Sequence, residues 1–291
     1  MVQTLERPET EEQVAGNDGT VAGRISLVLP AHNEEPNIRA VVEEAARVLP
    51  TAFADYEIIV VNDGSKDRTL EIAQALTSEN QHVKVVNHPV NRGYGAALTS
   101  GFNSATGDFI MFMDSDRQFD INDIHLLKPY VEDFDIVAGF RIKRNDPAHR
   151  LLNARIFGLA VKILFAINVR DIDCAFKIMR AEVLRGINLE SPGALINTEI
   201  LAKANVQGCT LTQVGVNHYP RLEGEQSGAS VKVVLRAFWE MVRLWWRMRT
   251  YVPPSGEVTQ RPPTWRGYAL FGGGALTGLL FLRGLIKLVK R

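Results

Sequence analysis

From Arg24 onward, short apolar runs alternate with stretches whose apolar residues fall at helical spacing. ISLVLP (Ile25 to Pro30) and YEIIVVNDGS (Tyr56 to Ser65) end in turn-forming residues, while NIRAVVEEAARVL between them repeats its apolar positions at three and four residues. That pattern predicts strand, helix, strand. DRTLEIAQALTSE then reads as a helix, HVKVVNHP as a strand, GYGAALTSGFNSA as a helix and DFIMFMDSD as a fourth strand. Strands that are apolar on both faces, each followed by a helix, predict an α/β fold with a mostly parallel sheet sandwiched by helices. The polar clusters AHNEE, NDGSKD, NRGYG and DSDRQ stand one at each strand end. Ligands of such sheets bind beyond the carboxyl ends of the strands, so the four clusters are expected to converge on one edge.

The pattern changes at both ends of the chain. Residues 1–23 are polar and acidic with no apolar core, which predicts a disordered leader and no signal peptide. Residues 231–252 combine Trp239, Trp245 and Trp246 with Lys232, Arg236, Arg243, Arg247 and Arg249, as an amphipathic helix in a lipid headgroup layer would; the alternative is a core-packing helix with one solvated face. A proline-rich linker follows over 253–266. Residues 267–291 open with an uncharged stretch, Gly267 to Leu282, and then carry Arg283 and Lys287. They suit one transmembrane helix if those two side chains reach back to the headgroups, or a helix lying on the membrane surface. Between these ends, 24–230 is expected to form the main domain.

Composition adds limits more than direction. The 291 residues are 46% hydrophobic and 23% charged, and 33 basic residues balance 33 acidic ones. No net charge draws the chain toward nucleic acid. Cys174 and Cys209 are too few for a disulfide framework, so each is read as a small core hydrophobe.

The candidate chemistry begins at Asp114 and Asp116. On an extended segment, positions two apart face the same way, so these carboxylates can aim at one point. A hard cation, Mg²⁺ or Mn²⁺, is held by such a pair together with substrate phosphates, which suggests a diphosphate at this edge. The plain alternative is a polar strand end. PAHNE (Pro30 to Glu34), NDGSKD (Asn62 to Asp67), NRGYGAA (Asn91 to Ala97) and DSDRQ (Asp114 to Gln118), in this order, resemble the family 2 glycosyltransferases of GT-A fold. AGFR (Ala138 to Arg141), DIDCAFKIMR (Asp171 to Arg180), Glu199 and HYPRLEGEQS (His218 to Ser227) extend the likeness to the dolichol-phosphate mannose synthase and polyprenyl-phosphate sugar synthase branch. By that resemblance Pro30, Ala31, His32, Glu34, Asn62 and Asp63 would line a nucleotide pocket. Asp114 and Asp116 would hold the metal and diphosphate beside Ser115 and Gln118, and Arg141 and Arg221 would face phosphates.

This chain departs from the family pattern in places. His32 stands where an aromatic Tyr or Phe is usual, Asn62 replaces the first Asp of D-D-G-S, and Ser227 takes the place of an expected lysine. Asn62 leaves the choice of nucleotide open. Other motifs fit less well. Gly93 and Gly95 begin a dinucleotide-type G-x-G-x-x-G but lack its third glycine, and Ser65 has no nucleophile elbow around it. Ser65, Gly64 and Asp67 read more simply as the turn and cap of the next helix.

The resemblance implies an inverting, metal-dependent transfer of a hexose from a nucleotide diphosphate sugar, GDP-mannose or UDP-glucose, to polyprenyl or dolichyl phosphate. A phosphate monoester with a second pKa of about 6 is already a dianionic nucleophile, so no general base is required. Arg117, Arg141, Lys177, Arg180 and Arg221 are the cations available to hold two anions together; the alternative for each is a surface salt bridge. The expected setting is a membrane, with the catalytic domain on its cytoplasmic face and homo-oligomers allowed. A soluble or glycan acceptor, or a silent nucleotide-sugar-binding protein, are the competing readings.

Overall fold

A computed structural model of the chain describes residues 19–142, 148–221 and 231–254, for 148–155 and 231–236 in their backbone alone. The four predicted strands are β1 (Val21–Ala31), β2 (Phe53–Asp63), β3 (Val83–His88) and β4 (Phe109–Phe112), joined by α1 (Ile38–Ala52), α2 (Thr69–Glu79) and α3 (Tyr94–Ser104). Two 3-10 turns around α4 (Ile124–Leu127) lead to β5 (Ile136–Arg141) and α5 (Ala148–Phe165). Then come β6 (Lys177–Arg180), α6 (Ala181–Arg185), α7 (Ile196–Gln207), β7 (Leu211–Val216) and α8 (Val231–Met248).

The strands form one sheet in the order β3-β2-β1-β4-β6-β5-β7. β1 pairs in parallel with β2 and with β4, β2 with β3, and β5 with β7; β6 alone runs antiparallel to its neighbours β4 and β5. The chain therefore winds outward from β1 through β2 to β3 and then returns to β4 on the other side. That reversal leaves a crevice beyond the carboxyl end of β1, where open α/β sheets bind ligands. All four residues of β4 are buried, as are Ile58 to Val61 of β2, because helices cover both faces.

Two boundaries differ from the sequence reading. β1 starts inside the segment assigned to the leader, because Val21 is buried and pairs with Phe53. α8 ends at Met248, and its two faces have different surroundings. Met241, Leu244, Trp245 and Met248 are buried, while Trp239, Val242 and Trp246 are exposed. One face of the helix thus packs on the core and the other is exposed. Among the described residues no helix is long and apolar enough to cross a membrane. The segment 267–291 lies outside the described residues.

The edge opposite the crevice is tied by Glu57 on β2, which is fully buried. Its carboxylate accepts from Ser26 Oγ (2.6 Å), from Thr106 N and Oγ1 (2.7 and 2.8 Å) and from Lys84 Nζ (2.6 Å). Burial alone would push its pKa up, but Lys84, Ser26 and Thr106 hold it down to about 2. Such a group adds stability that is complete above its unfolded value of 4.5 and is lost as the pH falls toward 2. Glu57→Gln should lower stability at pH 7 by roughly 1–3 kcal/mol. In urea titrations, the gap between wild type and variant should close as the pH drops below 4.5.

Candidate active site

The first two polar clusters are knitted into each other. Asn33 N donates to Ser65 Oγ (3.0 Å) and Lys66 N to Asn33 Oδ1 (2.8 Å); Glu35 N donates to Asp67 Oδ2 (3.1 Å) and Arg68 N to Glu35 Oε2 (3.0 Å). Glu34 N reaches Thr69 Oγ1 at 2.8 Å. Asp67 Oδ1 also accepts from Thr69 N at 3.0 Å, closing an Asx turn just ahead of α2, whose N-cap position is taken by Arg68 and not by Asp67. The AHNEE and NDGSKD loops are thereby held as one rigid wall.

The wall closes a cleft of about 860 Å³ lined by Pro30, Ala31, His32, Asn33, Glu34, Asp63, Asn91, Gly93, Tyr94, Ala97, Asp114, Ser115, Asp116 and Arg221. Its size is that of a small-molecule site. Asp114 and Asp116 both face into it. Ser115 Oγ between them donates to the Pro30 carbonyl (2.9 Å), which pins their turn to β1. Gln118 N donates to Asp116 Oδ1 (3.1 Å), while Gln118 Nε2 and its carbonyl bond Tyr219 (3.1 and 2.8 Å). Gln118 is therefore a brace behind the carboxylates. Arg117 takes a φ of 61°, a left-handed conformation that costs a non-glycine residue on the order of 1 kcal/mol, to make the turn.

Burial and the neighbouring Asp116 push Asp114 up to about 7, against a hydrogen bond from Tyr94 and the fields of Arg141 and Lys177. Tyr94 Oη donates to Asp114 Oδ1 at 2.9 Å, and burial with Asp114 raises the phenol's own pKa, so it remains a donor. Two carboxylates aimed into one cleft, with Asp114 raised by its neighbour, fit a hard divalent cation. Among the described residues no third His, Cys, Asp or Glu joins it in a metal-sized cluster. Further oxygens would come from a bound phosphate or water.

Apart from Arg117 and Gln118, described above, the predicted residues divide into three groups. Pro30, Ala31, His32, Glu34, Asp63, Asp114, Ser115, Asp116 and Arg221 meet in the cleft. Arg221 spans it, with 2.6 Å to Glu34 Oε1 and 3.5 Å to Asp116 Oδ2. Asn62, Arg141 and Lys177 stand at the same sheet edge but outside the lining. Asn62 is buried and bonds Asn87 (2.8 Å) and Ser65 N (3.4 Å). Arg141 forks onto Asp171 at 2.6 and 2.7 Å. Lys177 is 1% exposed, under the ring of Phe112, with its ammonium on the carbonyls of Ile172 and Cys174.

Arg180 is a correction to the sequence reading. Because β6 runs antiparallel to β4, Lys177 pairs with Phe112 at the cleft edge and Arg180 with Phe109 at the far one. There Arg180 meets Asp135 (3.9 Å) and the Glu132 carbonyl (2.5 Å), too far along the strand to reach the cleft. The two thiols behave as expected: burial pushes Cys174 up to about 12 and Cys209 up to about 11, which keeps both protonated.

Residues 26–187, from within β1 to just beyond α6, match the profile of Glycosyl transferase family 2. The chain belongs to that family. It is 30% identical over 271 residues to the undecaprenyl-phosphate 4-deoxy-4-formamido-L-arabinose transferase of Pseudomonas paraeruginosa, covering 91% of this chain and 73% of that protein. It is 31% identical over 178 residues to the dolichyl-phosphate beta-glucosyltransferase ALG5D of Trichomonas vaginalis, covering 55% and 54%. With glycosyltransferase AglD of Haloferax volcanii it shares 28% over 273 residues, but spans only 42% of that protein's length. In fold, this family 2 chain resembles the Mycobacterium tuberculosis glucosyl-3-phosphoglycerate synthase solved with Mn²⁺, uridine diphosphate and phosphoglyceric acid. The TM-score is 0.56 at 22% identity, over 83% of this chain and 85% of that one.

Sequence reasoning missed Tyr94 and His88, reading the first as a helix residue and the second as part of a strand. His88 Nδ1 lies 2.8 Å from Asp63 Oδ1 and its Nε2 2.9 Å from Ser100 Oγ. Asp63 also accepts from Arg92 N and Gly93 N, each at 2.9 Å. Its carboxylate thus ties the β3–α3 turn to the cleft wall. Asp63→Ala would take the acceptor from the buried His88 ring and from the Arg92 and Gly93 amides, and should lower the unfolding free energy by roughly 1–3 kcal/mol, read from the urea midpoint.

Proposed function

We propose that this family 2 glycosyltransferase moves a hexose from a nucleotide diphosphate sugar to a polyprenyl phosphate, with inversion at the anomeric carbon and with Mg²⁺ or Mn²⁺ held by Asp114 and Asp116. The observation that carries the reading is the pair of carboxylates, Asp116 buried and Asp114 half-buried, opposite Arg221 in one cleft at the reversal point of the sheet. When bound, the cation would stabilise charge on the departing nucleoside diphosphate. His32, exposed at the rim with Nδ1 2.8 Å from the Asp63 carbonyl, offers a ring face to the base. Arg221 would turn its donors from Asp116 to phosphate oxygens, for which a guanidinium fork is well shaped. Arg141 and Lys177, already bonded to protein groups, would act on the anions through their field. The polyprenyl-phosphate acceptors in the names of two relatives favour a lipid phosphate over a soluble or glycan acceptor.

Purified full-length protein with Mn²⁺ and radiolabelled GDP-mannose or UDP-glucose should convert a polyprenyl phosphate into a labelled lipid. Asp116→Asn keeps the volume but loses a ligand charge, and should reduce turnover at least a hundredfold with an unchanged thermal midpoint. Asp116→Asn turnover close to wild type at saturating metal would sink the assignment.

A lipid acceptor calls for a membrane contact. α8 exposes Trp239, Val242 and Trp246, with Arg243 over the Trp239 ring (5.9 Å) and Arg249 over that of Trp246 (4.7 Å). α5 packs on α8 through Phe157 and Phe238 and exposes Leu159 and Ile163. Indoles beside cations suit the headgroup layer. The double variant Trp239→Ser/Trp246→Ser should keep its fold and bind anionic phospholipid vesicles more weakly in flotation; equal binding would assign attachment elsewhere.

A further inference from the structure

Glu199 on α7 is fully buried, and the proposed chemistry gives it no task. It pairs with Lys203 (2.7 Å) and accepts from the backbone amides of Glu190 (3.1 Å to each oxygen) and Ser191 (2.7 Å). Those bonds fix the turn at 190–193. The turn in turn grips the cleft: the Pro192 carbonyl accepts from Gly95 N (2.8 Å) and Ala96 N (3.2 Å) in the first turn of α3. A Cβ at Gly93 would come within 2.6 Å of the Pro192 carbonyl, and one at Gly95 within 2.1 Å of the Ser191 carbonyl. The two segments therefore meet backbone to backbone, with no flexible side chain between them. Tyr94 stands between these glycines, and its hydroxyl holds Asp114 Oδ1.

We infer that Glu199 is a positioning residue for the carboxylate pair: it fixes the 190–193 turn, the turn fixes the start of α3, and α3 holds the Tyr94 hydroxyl against Asp114. The inference rests on the reading of Asp114 and Asp116 as the metal-holding pair. A residue that only stabilised the fold would lower the melting temperature without changing how tightly the folded protein binds a cation. Groups that orient a metal ligand from behind typically change affinity ten- to a hundredfold.

Mn²⁺ binding to the full chain without nucleotide, followed by loss of the free-ion EPR signal, separates the two. Wild type should bind Mn²⁺ and Asp116→Asn should not. Tyr94→Phe and Glu199→Gln should each weaken binding by roughly ten- to a hundredfold, and Glu199→Gln should add little in the Tyr94→Phe background. Wild-type affinity in Glu199→Gln, or an equal loss in both backgrounds, overturns the inference while leaving the metal reading intact. A wild-type chain that binds no Mn²⁺ overturns both. If Glu199→Gln does not fold because Lys203 is left buried without its partner, Glu199→Gln/Lys203→Met removes both charges and is compared in the same way.

Discussion

Two like charges brought together out of water are the constraint on which the rest of the site depends. Asp114 and Asp116 follow a strand that is buried on both faces and are carried by it to the same cleft. The surroundings moderate their repulsion without cancelling it. Tyr94 gives Asp114 a donor, Arg221 reaches Asp116 at 3.5 Å, and Lys177 lies beneath on β6. Arg141 and Lys177 act at a distance because Asp171 and two carbonyls already take their hydrogen bonds. Burial and the neighbouring Asp116 still hold the Asp114 carboxyl above its ordinary range.

The same constraint explains how the cleft uses its glycines. A glycine-rich turn opening a helix commonly presents backbone amides to a phosphate. Here the first amides of α3, at Gly95 and Ala96, are bonded to the Pro192 carbonyl. The glycines of NRGYGAA serve packing against 190–193. On the opposite side of the cleft the Asp114–Asp116 pair and Arg221 stand on the DSDRQ turn and the tail of β7, which Gln118 and Tyr219 lock to each other.

The parallel half of the fold was legible because each of its strands ends an apolar run in a polar cluster, and register then carries the clusters to one edge. α8 was legible too, since one set of its residues at helical spacing is apolar and another mixes tryptophan with arginine. β6 was not. KIMR is four residues long with a cation at each end, and no local pattern says that Lys177 is enclosed while Arg180 belongs to the far edge. Counting cations near a motif also overstates those available to a ligand. Arg141 meets Asp171 across 30 residues of sequence, a pairing that only the fold creates. The position of Tyr94 was hidden for the same reason, since its partner Asp114 comes from the next strand end, 20 residues on.

Asn62, where the family has an aspartate, shows how such a departure can be harmless to the site. It pairs in register with Asn87 on β3, donates from Nδ2 to the Asn87 Oδ1, and accepts from Ser65 N. An aspartate there would still accept from Ser65 N, and could accept from the Asn87 amide if that amide turned over. Either residue can hold the turn. Asn62 is not among the cleft residues, and its side chain supports the NDGSKD loop from behind. His32 does line the cleft: with Nδ1 against the Asp63 carbonyl, the neutral ring carries its proton there. Its Nε2 is then an acceptor, 3.3 Å from the Asn33 amide, and the imidazole is held at the rim with a fixed tautomer and a face open to the cleft.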